Sequence, residues 1–298
     1  MDVDGELPQL RALASYYASL NGALWVAEQD GAIVGMIAAI PLPDDAWEIC
    51  QVYVHPSLHG TGLGHELLDI AERHAASAAR FVLWTDTRFE RAHRFYEKRS
   101  YIRTAPIRAL NDISSSLEFH YEKPLTGIEV LDIASAESAV PRLSDILIAC
   151  VAEGAGVSFL PPLAPEVAKS FWRTTARDIA AGRKILLAGW VDGVLAGTVT
   201  LSVDMPENQP HRAEVAKLLV DPAARRTGLA RRLMARLEAE AGKAGRPLLM
   251  LDTRAGDRAE ALYRSMGWHE LGLVPGHALS KDGSFDDTRF FWKRVDAA

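Results

Sequence analysis

Two cysteines, Cys50 and Cys150, are all that the 298 residues contain. So few exclude a disulfide framework and a four-cysteine zinc site. Long apolar runs are missing too, and nothing approaches the roughly 20 residues that a helical membrane span needs. The start of the chain, Met1-Asp2-Val3-Asp4-Gly5-Glu6, lacks the basic-then-apolar order of a secretory signal. A cytoplasmic location with no membrane partner is therefore expected. A basic excess is also absent. The formal net charge is −6, and residues 1–124 hold 11 of the 33 basic side chains against 17 of the 39 acidic ones, so the rest of the chain balances. Neither part has the electropositive footprint of a nucleic-acid binder. What remains is a globular composition, 48% hydrophobic and 24% charged, at a length that suggests about two domains.

An internal repeat organises that length. Gln51-Val52-Tyr53-Val54-His55-Pro56, followed by His59-Gly60-Thr61-Gly62-Leu63-Gly64, is echoed by Lys217-Leu218-Leu219-Val220-Asp221-Pro222, followed by Arg225-Arg226-Thr227-Gly228-Leu229-Ala230, 166 residues later. Glu48 and Glu214 share that offset, as do Asp86-Thr87-Arg88 and Asp252-Thr253-Arg254. After one inserted residue, Tyr96 matches Tyr263. Several matches at one spacing and in one order point to a duplicated domain.

Each copy reads alike. Two apolar runs around Asp30-Gly31, or around Asp192-Gly193, form a hairpin pattern. Apolar strands are expected at 47–54 and 213–220, then an amphipathic helix after the glycine loop, in which Leu229, Leu233, Leu237 and Ala241 recur every four residues. Strands follow at 81–85 and 248–251, then a helix carrying Tyr96 or Tyr263, and a last strand at 117–122 or 288–295. In front of its hairpin the second copy has a strand near 128–133 and helices near 136–152 and 165–180. The first copy has room for one helix near 7–20. Pro124-Leu125-Thr126-Gly127 reads as the linker, giving domains 1–124 and 125–298, the first shortened at its start.

The strand–loop–helix corner carries the chemistry. A helix start exposes amides without partners, and the helix dipole adds positive potential there, so phosphate binds readily. Gly62 and Gly228 leave the backbone open to a close diphosphate, and Gly64 or Ala230 keeps the first turn small. Arg225, Arg226, Arg231 and Arg232 add positive charge. The Gly-Lys-Ser/Thr of a P-loop is missing from both copies. Gly60-Thr61-Gly62-Leu63-Gly64 is one residue short of the dinucleotide fingerprint, and the second copy keeps only Gly228 of it. His55 and His59 flank Pro56 in a loop, outside the helical two-histidine geometry, and no metal is expected.

Arg225-Arg226-Thr227-Gly228-Leu229-Ala230 resembles the Arg/Gln-x-x-Gly-x-Gly/Ala signature of the GNAT superfamily of N-acetyltransferases, and the element order is similar as well. The resemblance implies an α/β (α+β) fold of two tandem domains. Each would be a mixed, mostly antiparallel sheet splayed at its central parallel strands and flanked by helices. It implies acetyl-CoA as cofactor, with the pyrophosphate on the loop amides. The cofactor contacts would be Leu218, Leu219, Val220 and Arg225 to Ala230 in the second copy, and Val52, Val54 and His59 to Gly64 in the first. His211-Arg212-Ala213-Glu214, Leu251-Asp252-Thr253 and Pro275-Gly276 resemble the tabtoxin-resistance-type acetyltransferases, which acetylate an amine of a small toxin. Glu214, Asp252 and Tyr263 fall at positions matching the catalytic groups proposed for that branch.

Acetyl transfer to an amine needs a proton acceptor, an oxyanion donor and a proton for the departing thiolate. Glu214 is the candidate base, Asp252 a helper or substrate anchor, Tyr263 the acid, and an amide near Leu219 the oxyanion donor. Each side chain has a structural alternative. Tyr263 fits a helix core with Ala259, Leu262 and Met266; Glu214 could pair with Lys217 or Arg212; Asp252 could cap the next helix. The first copy departs from the pattern: His59 stands in the signature position, Lys98-Arg99-Ser100-Tyr101 replaces Met266-Gly267-Trp268, and the front helices are short. That copy is expected to be structural, regulatory or weakly active. The expected activity is N-acetylation of a small-molecule primary amine by a monomer or homodimer. A protein or peptide acetyltransferase and a non-catalytic acyl-CoA-binding module stand as alternatives.

Overall fold

The computed structural model describes residues 12–110 and 115–296. The described chain forms two compact units, one running to Tyr96 and again over Tyr101–Leu125, the other holding Glu97–Ser100 and Thr126 onward.

The first unit contains α1 (Leu13–Ser19), β1 (Ala23–Gln29), β2 (Ala32–Pro41), β3 (Ala46–Val54), α2 (Leu63–His74), β4 (Arg80–Asp86), α3 (Glu90–Lys98), β5 (Ile102–Ala109) and β6 (Leu117–Pro124). Its sheet runs β1-β2-β3-β4-β6-β5. The second contains β7 (Gly127–Leu131), α4 (Ile133–Ala152), α5 (Pro165–Ala180), β8 (Lys184–Val191), β9 (Val194–Ser202), β10 (Arg212–Val220), α6 (Leu229–Lys243), β11 (Leu248–Arg254), α7 (Arg258–Ser265), β12 (His269–Leu279) and β13 (Phe285–Arg294). Its sheet runs β12-β13-β11-β10-β9-β8-β7. Each sheet is mixed, with one parallel pair, β3 with β4 or β10 with β11. A parallel pair needs a crossover, and α2 and α6 supply it. α6 turns Leu229, Leu233, Met234, Leu237 and Ala241 into the core beside Leu201, Leu249 and Phe291.

Both hairpins close as the sequence suggests. Asp30-Gly31 and Asp192-Gly193 all adopt positive φ, which a two-residue turn matched to strand twist requires. Other elements differ from expectation. α4 starts at Ile133, not 136, because the Asp132 side chain accepts from the Ser135 amide at 2.8 Å and caps it. The helix near 7–20 is described only as α1, since positions 7–11 lie outside the described residues. β5 and β12 were not foreseen. β12 contains Gly272, Pro275 and Gly276, and its register slips twice along β13, so no alternating pattern marks it as a strand. Among the described residues no helix is long and apolar enough to cross a membrane.

Candidate active site

β10 and β11 pair only at Arg212–Leu248, Ala213–Leu249 and Glu214–Met250. Beyond that point β10 follows β9 and β11 follows β13. A bulge between Ala216 and Leu219 bends β10, and Lys217 within it has φ +53°. Where the strands part, a cavity of about 670 Å³ opens, lined by β10 from Val215 to Val220, by Asp252, Thr253 and Arg254 of β11, by α7, and by residues 153–158.

The corner after β10 is built by local bonds. Asp221 accepts from the Ala223 amide at 2.9 Å, and the Thr227 hydroxyl donates to the Ala224 carbonyl at 2.8 Å. Gly228 starts α6 at φ +78° with no side chain capping the first turn. Leu229 is buried and anchors that turn; a Cβ on Gly189 or Gly197 would come within 2.7 or 2.9 Å of its methyl groups. Arg142 of α4 donates to Asp221 at 2.6 Å and to the Leu195 carbonyl at 2.8 Å, tying that helix to the corner. Leu218, Leu219, Val220, Arg225 and Ala230 line the cavity, and Arg226, Thr227, Gly228 and Leu229 form the corner beyond its lining. Arg225, Arg226, Arg231 and Arg232 are exposed. Arg225 is ion-paired with Glu153, and Arg231 donates to the Ser265 hydroxyl at 2.6 Å. An uncapped helix start, an open glycine backbone and exposed arginines fit a phosphate-bearing ligand whose remainder is long and thin.

The three candidate side chains are disposed differently. Tyr263 lines the cavity at one edge and otherwise packs against Trp268 and Phe291, with ring centroids 6.0 and 5.8 Å away. Burial, then the charges of Asp257 and Asp252, push its phenol well above the usual range, so it is protonated at neutral pH. Asp252 lines the cavity, is exposed, and among the described residues has no salt-bridge partner. The capping of α7 falls to Asp257, which accepts from the Ala259 amide. Glu214 lies outside the lining, 53% exposed, with Arg212 at 3.1 Å. Lys217 lines the cavity instead of pairing with Glu214. Its ammonium is 3.4 Å from the Ser158 hydroxyl and 5.5 and 5.9 Å from the ring centroids of Phe171 and Phe159. Burial lowers its pKa, while Asp252 raises it. Sequence reasoning met Lys217 in the repeated segment and as a possible ion-pair partner, not as a cavity residue, because a bulge leaves no trace in hydropathy.

The first copy repeats the framework with other side-chain partners. β3 and β4 pair at three positions, Ala46–Arg80 to Glu48–Val82, and Gln51 sits in a bulge at φ +53°. Gly62 starts α2 at φ +101°, again uncapped by a side chain, and the Thr61 hydroxyl donates to the Leu58 carbonyl at 2.8 Å. Gly60 is also left-handed, Val52, Val54 and Leu63 pack at the edge of the core, and a Cβ on Gly64 would lie 3.6 Å from Phe95. His59 accepts from Arg91 at Nδ1 (2.9 Å) and donates from Nε2 to the Val54 carbonyl (3.0 Å). Asp86 takes a two-pronged bond from Arg88, at 2.8 and 2.5 Å, which holds its carboxyl down at about 2. Burial raises the carboxyl of Glu48. A cavity of about 350 Å³ lies between β1 and β2 on one side and Leu58, Thr61, Leu63 and Glu66 on the other, and neither Asp86 nor Tyr96 lines it.

A model of the acetyltransferase (GNAT) family matches residues 4–101 and 157–268. An uncharacterized N-acetyltransferase of Azospirillum brasilense is 34% identical over 120 residues, spanning 40% of this chain and 70% of that protein. An uncharacterized N-acetyltransferase of Mycobacterium tuberculosis is 35% identical over 98 residues, 32% of this chain and 62% of that one. The crystal structure of an N-acetyltransferase from Staphylococcus aureus is similar with a TM-score of 0.49 at 18% identity, over 57% of this chain and 98% of that one.

Proposed function

The chain belongs to the acetyltransferase (GNAT) family, and from that premise we propose that residues 125–298 form an N-acetyltransferase domain acting on the primary amine of a small molecule. Residues 1–124 form a second such domain with a structural, regulatory or weakly active role. The observation that carries the reading is the cavity of about 670 Å³ where the parallel strands part, which reaches Arg225 and Ala230 on either side of the uncapped start of α6.

Acetyl-CoA supplies an activated acetyl thioester. The chain supplies the rest. The corner from Arg225 to Ala230 holds the diphosphate with backbone amides and exposed guanidinium groups. Leu218, Leu219 and Val220 wall a narrow arm. Asp252 holds the incoming ammonium, and Glu214, at the exposed end of the paired segment, takes its proton through solvent. Tyr263 keeps a proton on its phenol oxygen for the leaving sulfur, which its buried setting favours. A small acceptor suits the cavity of about 670 Å³, which residues 153–158 line opposite β11. In the first domain the matching groups are committed: Asp86 is neutralised by Arg88 and Glu48 is sequestered.

The test is thiol release from acetyl-CoA by the purified chain across a panel of amines. Calorimetry that detects no acetyl-CoA binding at millimolar concentration would remove the reading; binding without thiol release from any amine would remove the enzymatic part of it.

A further inference from the structure

The cavity contains a cation that the reaction just described does not use. Arg225 is engaged by Glu153, and Arg254 lies between Asp257 at 3.9 Å and Asp286 at 3.7 Å. Arg258 stands exposed at the rim. Lys217 is half-buried, and among the described residues no carboxylate comes within salt-bridge distance of it. Its neighbours are one hydroxyl, Ser158 at 3.4 Å, and the faces of Phe159 and Phe171. An ammonium taken out of water is costly unless something anionic meets it, and two phenyl rings compensate only partly. Asp252 lines the same cavity and is close enough for its charge to act on Lys217, yet the two do not pair. An unpaired anion and an unpaired cation thus face one small volume.

Resting on the acetyltransferase reading above, we propose that the acceptor is an amino-acid-like zwitterion, whose carboxylate is held by Lys217 while Asp252 holds its amine. Phe159 and Phe171, which meet edge to face at 5.4 Å outside the cavity lining, back the Lys217 ammonium. Charge placement makes the discrimination: an amine without the acid leaves Lys217 desolvated and unanswered. The first copy supplies a natural contrast. Gln51 occupies the same bulge at the same φ of +53°, so the backbone is kept and the cation is not.

That contrast also defines the experiment. Thiol release by the full chain is measured with paired acceptors: phenylalanine with phenethylamine, and lysine with cadaverine. Lys217→Gln carries a side chain already found at this backbone geometry, and melting curves check that it folds; Lys217→Met is the second variant. The wild type is expected to favour the acid-bearing member of each pair. In both variants the ratio of kcat/KM, acid-bearing over decarboxylated, is expected to fall about 10- to 100-fold through KM, the size of a lost charge-assisted hydrogen bond. An unchanged ratio, or a wild type that prefers the decarboxylated amines, overturns the inference while leaving the acetyltransferase reading intact. Absence of thiol release from every amine overturns both.

Discussion

Replacing Gly228 by alanine separates the cost of backbone strain from the cost of a blocked ligand. Gly228 has φ +78°, and a Cβ built there meets nothing within 4 Å. The free protein therefore has room for the methyl group, and the penalty is that of an L-residue in the left-handed region, about 1–2 kcal/mol. For a unit of this size that should lower Tm by roughly 2–8 °C. Affinity is a different matter. The empty space beside Gly228 is where the proposed diphosphate meets the first amides of α6, and the methyl group would take it. Losing one charge-assisted hydrogen bond costs about 1.5–3 kcal/mol, so acetyl-CoA should bind about 10- to 100-fold more weakly by calorimetry. Gly182→Ala is the control: its φ is +67°, its Cβ also meets nothing within 4 Å, and it follows α5 away from the corner. It should show the same fall in Tm with unchanged affinity. If Gly228→Ala melts early but binds acetyl-CoA like the wild type, the corner does not hold the diphosphate.

Tyr263→Phe keeps the ring against Trp268 and Phe291 and removes only the hydroxyl, so kcat should fall on the order of 100-fold with no change in acetyl-CoA affinity; an unaltered kcat would show that another group protonates the leaving sulfur. Asp86 titrates at about 2 in the folded protein against an ordinary 3.8. Its contribution to stability is fully present above the ordinary value and is lost as pH falls through about 2. Asp86→Asn should therefore flatten the acid-denaturation curve between those limits, and superimposable curves for variant and wild type would refute the clamp by Arg88.

Much of the fold was legible because the chain states it twice. The offset of 166 residues that relates Gly62 to Gly228 also relates the Thr61 and Thr227 hydroxyl bonds and the turn-capping side chains of His55 and Asp221. Recurrence of that kind follows from local geometry, which short sequence spans encode. β5 and β12 were not legible, since strands with slipped register lose alternation, and β12 also carries turn residues. The site was legible in its backbone and less so in its side chains. Which way Glu214 and Lys217 turn depends on a bulge, and a bulge depends on the partner strand β9. The state of Asp86 depends on where the Arg88 fork lies, and no spacing rule supplies that.

Asp86-Thr87-Arg88 and Asp252-Thr253-Arg254 are the same tripeptide, yet one offers the surroundings a neutral pair and the other a bare negative charge. Arg88 forks onto Asp86 and reaches Ser116 at 3.1 Å, whereas Arg254 stands near Asp257 and Asp286 at 3.9 and 3.7 Å. The same three residues can thus present different charge in the two halves, according to where the arginine fork lies. Judging either half by its motif alone would miss this, since the deciding residues lie outside it.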